Sequence, residues 1–231
     1  MPKRPGPVAS AATPRAHAPR LSETAYDRIL EGLFDRRLKV GAFLSQSELS
    51  GLVDVPIAPL RDALRVLEAE GILTIHPRSG IQFVKPGMEL TRATYQFRAI
   101  IERAAIRVFA EEGDAAGMEA LLSDHRALIG RIEARGLDSE DLEEVDRLER
   151  AIHSSVIASL QNQLVDVSYR RMMNYLRLLR LDRKFTAPII LRTLREHVEI
   201  LQACERRDAD AAEAALLAHL QAAMSRNIGF M

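Results

Sequence analysis

The stretch from Val55 to Val84 constrains the fold most strongly, because it combines a helical pattern, a glycine break and a hairpin pattern. Pro59 suits a first helical turn, where its missing N–H needs no partner, and Gly71 is a typical helix stop. Beyond Gly71, apolar and polar residues alternate on both sides of Pro77–Gly80, which predicts a short two-stranded hairpin. The helix itself is indicated by apolar residues at three- and four-residue steps: Leu60, Ala63, Leu64 and Leu67.

Two more helices are predicted before this stretch. Tyr26, Ile29, Leu30 and Leu33 recur on one helical face. The run Ser45–Glu48 has the form of a capping box and predicts a second, short helix that begins at Gln46. The order helix, helix, turn, helix and hairpin over residues 22–84 is typical of a winged helix-turn-helix, a DNA-binding domain.

Length and composition favour two modest domains, since 231 residues with 47% apolar content can bury one or two cores. The single cysteine, Cys204, excludes an internal disulfide and fits a reduced, cytoplasmic protein. No apolar run approaches the roughly 18 residues needed to span a bilayer. The sequence therefore predicts a soluble protein without membrane association.

The charge distribution gives weak support for nucleic-acid binding. Basic and acidic residues balance at 32 each, and residues 21–86 carry 8 basic and 9 acidic groups. Residues 1–20, by contrast, carry four basic residues and no acids, and their Pro- and Ala-rich composition predicts a disordered basic tail. Phosphate contacts require basic surface, so affinity for DNA must depend on local placement of a few cations.

After the linker Lys85–Gly87, every pattern is helical, and residues 87–231 are predicted to form a second domain. The predicted fold is mainly α: a winged helix-turn-helix over residues 21–86, followed by an antiparallel bundle of about six helices. The helices are predicted at about residues 89–112, 115–135, 139–160, 162–184, 188–206 and 208–226.

A set of histidines in the bundle is a candidate metal site. Glu149 and His153 lie four residues apart and share a helix face, while His197 and His219 lie on later helices. Three imidazoles and a carboxylate suit a divalent cation, and zinc, nickel and manganese are not distinguished by these ligands. Spacing alone also permits histidines that are surface groups or are hydrogen-bonded.

The chain resembles a known family in two segments. LSQSELSGLVDVPIAPLRDALRVLEAEGILTIHPRSG is similar to the operator-binding domain of the GntR family. YQFRAIIERAAIRVFA, LERAIHSSVIASLQNQ and REHVEILQACERRDADAAEAALLAHL resemble the FCD effector-binding domain of its FadR branch, and six helices resemble the VanR-type subgroup. The resemblance implies a homodimeric transcriptional regulator that binds double-stranded operator DNA and a small organic acid effector.

The resemblance also implies roles for individual residues of the bundle. His153, His197 and His219 match the family's metal ligands, and Glu149 stands where the family has Asp. Arg98 matches the Arg that meets the effector, although an ion pair with Glu102 at i+4 is the alternative. Asn162 matches a family Asn, which makes it a candidate for ligand binding, although capping of the helix that follows is the favoured alternative. His125 matches no ligand position and is expected at the surface.

At the predicted DNA-binding helix, the chain departs from the family. Pro56-Ile57-Ala58-Pro59 replaces the usual Ser-Arg-Thr-Pro, so base contacts at Ile57 are limited to apolar ones such as a thymine methyl. Arg61 keeps the matching family Arg, and Arg61 and Arg65 are the remaining cationic candidates on the outward face. The residues expected at DNA are Ser45, Ser47, Ile57, Ala58, Arg61, Arg65, Arg78, Ser79 and Gly80.

The leading hypothesis is therefore a regulator whose operator affinity is controlled by a carboxylate metabolite at the metal, and not an enzyme. The alternatives are a metal-dependent hydrolase that uses the three histidines, with Glu149 as ligand or base, and a DNA-binding scaffold whose bundle only dimerises. A complete winged helix and the absence of a second positioned acid or base argue against the hydrolase.

Overall fold

The computed structural model describes residues 20–181 and 185–228. It shows a winged helix-turn-helix followed by a helical bundle. The mainly α fold predicted from the sequence is confirmed. The predicted tail over residues 1–20 lies outside the described residues except for Arg20.

The N-terminal part contains three helices and a three-stranded sheet. The short strand Phe43–Leu44 (β1) was not predicted, because two residues are too few to show alternation. It pairs with Gly80–Phe83 (β3), which also pairs with Leu73–His76 (β2), so the sheet is antiparallel with the order β1-β3-β2. The elements are α1 (Leu21–Phe34), β1 (Phe43–Leu44), α2 (Gln46–Val53), α3 (Ile57–Ala69), β2 (Leu73–His76) and β3 (Gly80–Phe83).

Local chemistry explains the starts and stops of these elements. The predicted capping box is present at α2, where the Ser45 hydroxyl accepts from the Glu48 N–H at 3.2 Å and the Glu48 carboxylate accepts from the Ser45 N–H at 2.8 Å. Gly71 follows α3 with a φ of +74°, a conformation that favours glycine. Ile81 and Phe83 of β3 are buried in the same core as side chains of α1 and α3, so the hairpin packs on the helices.

The second part contains six helices within the described residues, and none of these helices is long and apolar enough to cross a membrane. Their bounds agree with the sequence predictions to within about four residues. The helices are α4 (Met88–Glu112), α5 (Ala115–Arg135), α6 (Ser139–Ala158), α7 (Gln163–Arg180), α8 (Ala187–Glu205) and α9 (Ala209–Ile228).

Helix α4 is the centre of the bundle, because it packs against α6, α7, α8 and α9. Its buried face carries Ala105, Ile106 and Phe109, which join the largest apolar cluster together with side chains of every other bundle helix. The same face continues toward the N-terminus as polar side chains, and Arg98 and Glu102 are fully buried there. The bundle therefore has an apolar half and a polar half.

Helix α7 joins the two parts of the molecule. Leu178 of α7 is buried in the core of the winged helix, and the Tyr175 hydroxyl donates to the backbone carbonyl of Glu70. The Glu70 carboxylate accepts a hydrogen bond from Tyr26 of α1 at 2.7 Å and pairs with Arg171 of α7 at 3.2 Å. The winged helix is thus seated on α7 by both apolar and polar contacts.

Gly71 is a sensitive point of this contact. We expect Gly71→Ala to destabilise the protein by roughly 1–3 kcal/mol, because a Cβ at positive φ is strained and would overlap the Tyr175 hydroxyl. The midpoint of urea unfolding measures the effect. Gly51→Ala is the matched control, since a Cβ there meets nothing within 4 Å and lies in α2. Equal midpoints for the two variants would contradict the proposed contact.

Candidate metal centre and DNA-binding face

Four side chains predicted as metal ligands converge in the polar half of the bundle. Ligand atoms of Glu149, His153, His197 and His219 all lie within 4.8 Å of one another, and all four residues are buried. The two Glu149 oxygens lie 3.5 Å from His153 Nε2 and 3.4 Å from His197 Nε2. Helices α6, α8 and α9 position these side chains. We refer to the four residues as the histidine cluster.

Two carboxylates outside the histidine cluster fix the orientation of two imidazoles. His153 Nδ1 donates to Glu102 at 2.8 Å, and His219 Nδ1 donates to Glu196 at 2.9 Å. Each hydrogen bond places the proton on Nδ1, so Nε2 of both rings carries a free lone pair directed into the cluster. Sequence reasoning named neither Glu102 nor Glu196 as an orienting group.

The third imidazole is oriented by His125, and the expectation of a surface position for His125 was wrong. His125 is fully buried on α5, and its Nδ1 lies 2.7 Å from the carbonyl oxygen of Leu121. Because a carbonyl can only accept, Nδ1 carries the proton. His125 Nε2 then accepts from His197 Nδ1 at 3.1 Å, which leaves His197 Nε2 as a lone pair. The missed signal is the spacing of His125 with buried Met118, Leu122 and Ile132 on one face of α5.

The three Nε2 atoms fit a cation. Each is buried and has no hydrogen-bond partner among the described residues. Burial lowers the pKa of His197, with further lowering by His219, and burial also lowers the pKa of His219. Neutral imidazoles with unshared lone pairs are the form that ligates metal ions. Glu149 adds a negative charge, so the donor set matches that of a divalent site with three nitrogens and one oxygen.

The Glu149 carboxylate also has arginine partners. Arg180 of α7 lies 2.5 Å from Glu149 Oε1, and Arg98 Nη1 lies 3.9 Å away. Burial raises the pKa of Glu149, but Arg180 and the neighbouring imidazoles outweigh it and hold the pKa well below the usual value. Glu149 is therefore ionised, and the arginines balance its buried charge. Arg180 was not identified from the sequence.

Arg98 forms the ion pair that the sequence offered as an alternative. Its Nε donates to Glu102 at 2.7 Å, and both side chains are fully buried. Glu102 also accepts from the Tyr169 hydroxyl at 2.9 Å. Burial raises the pKa of Glu102, but Arg98 and His153 outweigh it and lower the pKa to about 2. Arg98 Nη1 and Nη2 have no hydrogen-bond partner among the described residues, so two of the three guanidinium nitrogens are available as donors.

Asn162, assigned to ligand binding with capping as the alternative, caps α7. Its side-chain oxygen accepts from the backbone N–H groups of Leu164 at 3.0 Å and Val165 at 3.4 Å, and the residue is exposed. This arrangement accounts for the side chain without a ligand.

The residues expected at DNA lie in α2, at the start of α3 and at the hairpin turn. Arg61 Nε donates to Gln46 at 2.9 Å, which ties the first turns of α2 and α3 together. Arg65 is exposed and lies 3.6 Å from Asp62. Ile57 is 40% exposed. Ser47, Ala58, Arg78 and Ser79 are exposed, whereas Ser45 caps α2 and Gly80 is half-buried.

Gly80 occupies a position of the hairpin where a side chain would be strained. Its φ is +150°, and a Cβ there would lie 2.5 Å from the carbonyl oxygen of Leu44 and 2.8 Å from the Phe43 ring. Glycine therefore lets β1 approach β3. Arg78, at a φ of +65°, occupies the exposed turn that precedes it.

The fold is that of a winged-helix DNA-binding domain followed by a helical bundle. The GntR family of bacterial regulatory proteins matches residues 21–83, and the FCD domain family matches residues 93–222. The chain belongs to the FCD-containing branch of the GntR family, as the sequence resemblance indicated. It is a DNA-binding transcriptional regulator.

Similar proteins agree with this assignment. The chain is 25% identical over 199 residues to the HTH-type transcriptional regulator YdhC of Bacillus subtilis, which covers 84% of this chain and 85% of that protein. It is 28% identical over 187 residues to the HTH-type transcriptional repressor RspR of Escherichia coli, which covers 78% and 77% respectively. Both relatives are regulators, and the hydrolase alternative finds no support among them.

Solved structures share the fold. A GntR transcriptional regulator from Rhodococcus sp. RHA1 aligns with a TM-score of 0.72 at 20% identity over 91% of this chain and 98% of that chain. McbR/YncC of E. coli aligns with a TM-score of 0.71 at 16% identity over 92% and 99%.

The buried pair of Arg98 and Glu102 makes a testable contribution to stability. We expect Glu102→Leu to lower the free energy of unfolding by about 3–5 kcal/mol, because it leaves Arg98 buried without its closest anion. The double variant Arg98→Met/Glu102→Leu should recover part of this loss, since no buried cation is then stranded. Urea denaturation measures both.

The exposed Glu199 of α8 supplies the control. Glu199→Leu should change the unfolding free energy by less than about 0.5 kcal/mol. If Arg98→Met destabilises the Glu102→Leu variant by as much as it destabilises the wild type, the two residues do not act as a pair.

Proposed function

We propose that this regulator changes its operator affinity when a small carboxylate metabolite binds at a divalent metal held by Glu149, His153, His197 and His219. The observation that carries the proposal is the convergence of three buried Nε2 lone pairs that have no hydrogen-bond partner in the described part of the chain. Glu102, Glu196 and His125 support it, because each fixes the protonation of one imidazole so that the lone pair is directed inward.

The effector class follows from the charges around the cluster. A bound divalent ion would supply a cationic point that attracts a carboxylate oxygen. The free Nη1 and Nη2 of Arg98 would donate to the second oxygen, since a planar guanidinium suits a carboxylate. The cluster is closed by buried side chains, so the proposed effector is small. Zinc, nickel and manganese all suit this donor set.

The proposed DNA-binding surface is the first turn of α3 together with the hairpin turn. Arg61 is the central cation, because its hydrogen bond to Gln46 holds it at the junction of α2 and α3. Ile57 supplies an apolar contact where the family has Arg, and Arg65 lies one turn further along the helix. Arg78 and Ser79 would contact the phosphate backbone. Because the domain as a whole has no excess of positive charge, these few cations would supply the attraction to DNA phosphates.

We also propose a homodimer that acts in the cytoplasm. Large apolar side chains are exposed on two packed helices, with Ile100 of α4 at 73% and Leu164 of α7 at 80%. Exposed side chains of this kind mark protein interfaces when they form a patch. A twofold dimer presents two α3 helices, so the expected operator is a palindrome.

A gel shift on the DNA that flanks the protein's own gene tests operator binding. We expect the wild type to bind with two chains per operator and Arg61→Ala to bind about 10- to 100-fold more weakly, because it loses one specific contact. Ile57→Arg should change the sequence preference. Arg170→Ala, an exposed arginine on α7, is the control. Full binding by Arg61→Ala would show that α3 is not docked through its first turn.

The orienting role of His125 gives a test of the metal site. We expect His125→Phe to weaken zinc binding by about 10- to 100-fold, because His197 loses the acceptor that fixes its proton. Competition with a chromophoric chelator measures the affinity. His76→Phe, at a histidine of the hairpin, is the control and should leave zinc affinity unchanged.

Gel shifts with metal-loaded and metal-free protein test whether an effector controls operator binding. A panel of small carboxylic acids should alter the gel shift of metal-loaded protein and have no effect after metal removal. Failure of the wild type to bind zinc, nickel or manganese would overturn the metal site, and an unchanged gel shift with every acid would overturn effector control.

A further inference from the structure

A crevice of about 320 Å³ lies between the end of α1 and helices α6, α7 and α8. Glu149 and Arg180 line the crevice, and Glu149 also belongs to the histidine cluster, so the crevice adjoins that cluster. Volumes of this size are typical of small-molecule sites. Its walls are mostly apolar: Phe34, Leu142, Val145, Phe185, Ile189 and Ile190.

The charged groups of the crevice leave an excess of positive charge, because Arg36 and Arg177 line it without a carboxylate partner among the described residues. Glu149 pairs with Arg180, and Asp146 pairs with Arg150, so both carboxylates that line the crevice already have cationic partners. Arg177 has no carboxylate within ion-pair distance among the described residues. Its guanidinium instead lies 3.5 Å from the centroid of the Phe34 ring. An apolar ligand with one negative charge complements this arrangement.

Both domains contribute to the crevice. Phe34 ends α1 of the winged helix, and Arg36 follows it and donates to the backbone carbonyl of Leu181 at the end of α7. The other walls belong to the bundle. A ligand that fills the crevice would therefore touch both domains and would favour the relative arrangement in which the crevice is closed on it.

We propose that this crevice binds an organic monocarboxylate with an apolar body, whose carboxylate meets Arg177 and whose body fills the space between α6 and α8. The site goes beyond the metal-linked effector site and needs no metal. The apolar walls exclude inorganic phosphate and polar sugar acids as the preferred ligands, because burying their polar groups against these walls is costly. The proposed consequence is that the winged helix is held in its position on α7.

The test uses the full chain after treatment with chelator, so that no metal contributes. The probe is 4-phenylbutyrate, compared with the neutral 4-phenyl-1-butanol and the cationic 4-phenylbutylamine of the same shape. Isothermal titration calorimetry should show binding of the acid, with the alcohol and the amine at least tenfold weaker. Equal affinity for acid and alcohol, or no binding of the acid, overturns the proposal.

Substitutions at the crevice test whether the acid binds there. Arg177→Met keeps an apolar stem over Phe34 and should weaken the acid by about tenfold or more, while Arg170→Met on an exposed face of the same helix should not. Leu142→Glu, at an exposed wall position, should weaken the acid by charge repulsion. Unchanged affinity in both Arg177→Met and Leu142→Glu overturns the proposal.

Hydrogen exchange separates this site from the histidine cluster. With 4-phenylbutyrate bound, backbone amides at residues 34–37 and 177–181 should exchange more slowly, because the ligand contacts both segments. Protection confined to α6 and α8 around His153 and His197 would place the acid at the metal centre and overturn the crevice site.

Discussion

The buried carboxylate of Glu102 is the interaction on which the polar half of the bundle depends. It accepts from Arg98 within α4, from Tyr169 of α7 and from His153 of α6, so one side chain joins three helices. A carboxylate in this position must be ionised, and the arginine makes that possible. The consequence is chemical as well as mechanical, because the same carboxylate decides which nitrogen of His153 carries the proton.

Each of the three orienting groups fixes which nitrogen of an imidazole carries the proton, but the groups differ in charge. Glu102 and Glu196 are anions, whereas His125 is a neutral imidazole that is itself fixed by a backbone carbonyl. An anion behind each of the three imidazoles would add buried charge to a cluster that already contains Glu149. A neutral acceptor behind His197 fixes its proton without that cost.

The sequence predicted much of the fold because its helix ends carry their own chemistry. The capping box at Ser45, the Asn162 cap and the glycine after α3 act within a few residues and so are visible in the sequence. Type and spacing made the residues of the histidine cluster candidates, and the family resemblance selected them as predicted metal ligands. The orienting groups were not, because Glu102 and His125 acquire their roles from residues 51 and 72 positions away. Helical periodicity shows that a side chain faces inward but not which side chain it meets there.

Helix α7 carries a further consequence through Leu178. This side chain belongs to the core of the winged helix although it lies almost 100 residues beyond the hairpin, and it is only 3% exposed. The two domains therefore share one element of their cores, and separation of the winged helix from α7 would expose apolar surface on both. Folding of the DNA-binding part is thus thermodynamically linked to the bundle, and the two parts should unfold with shared cooperativity and not as independent units.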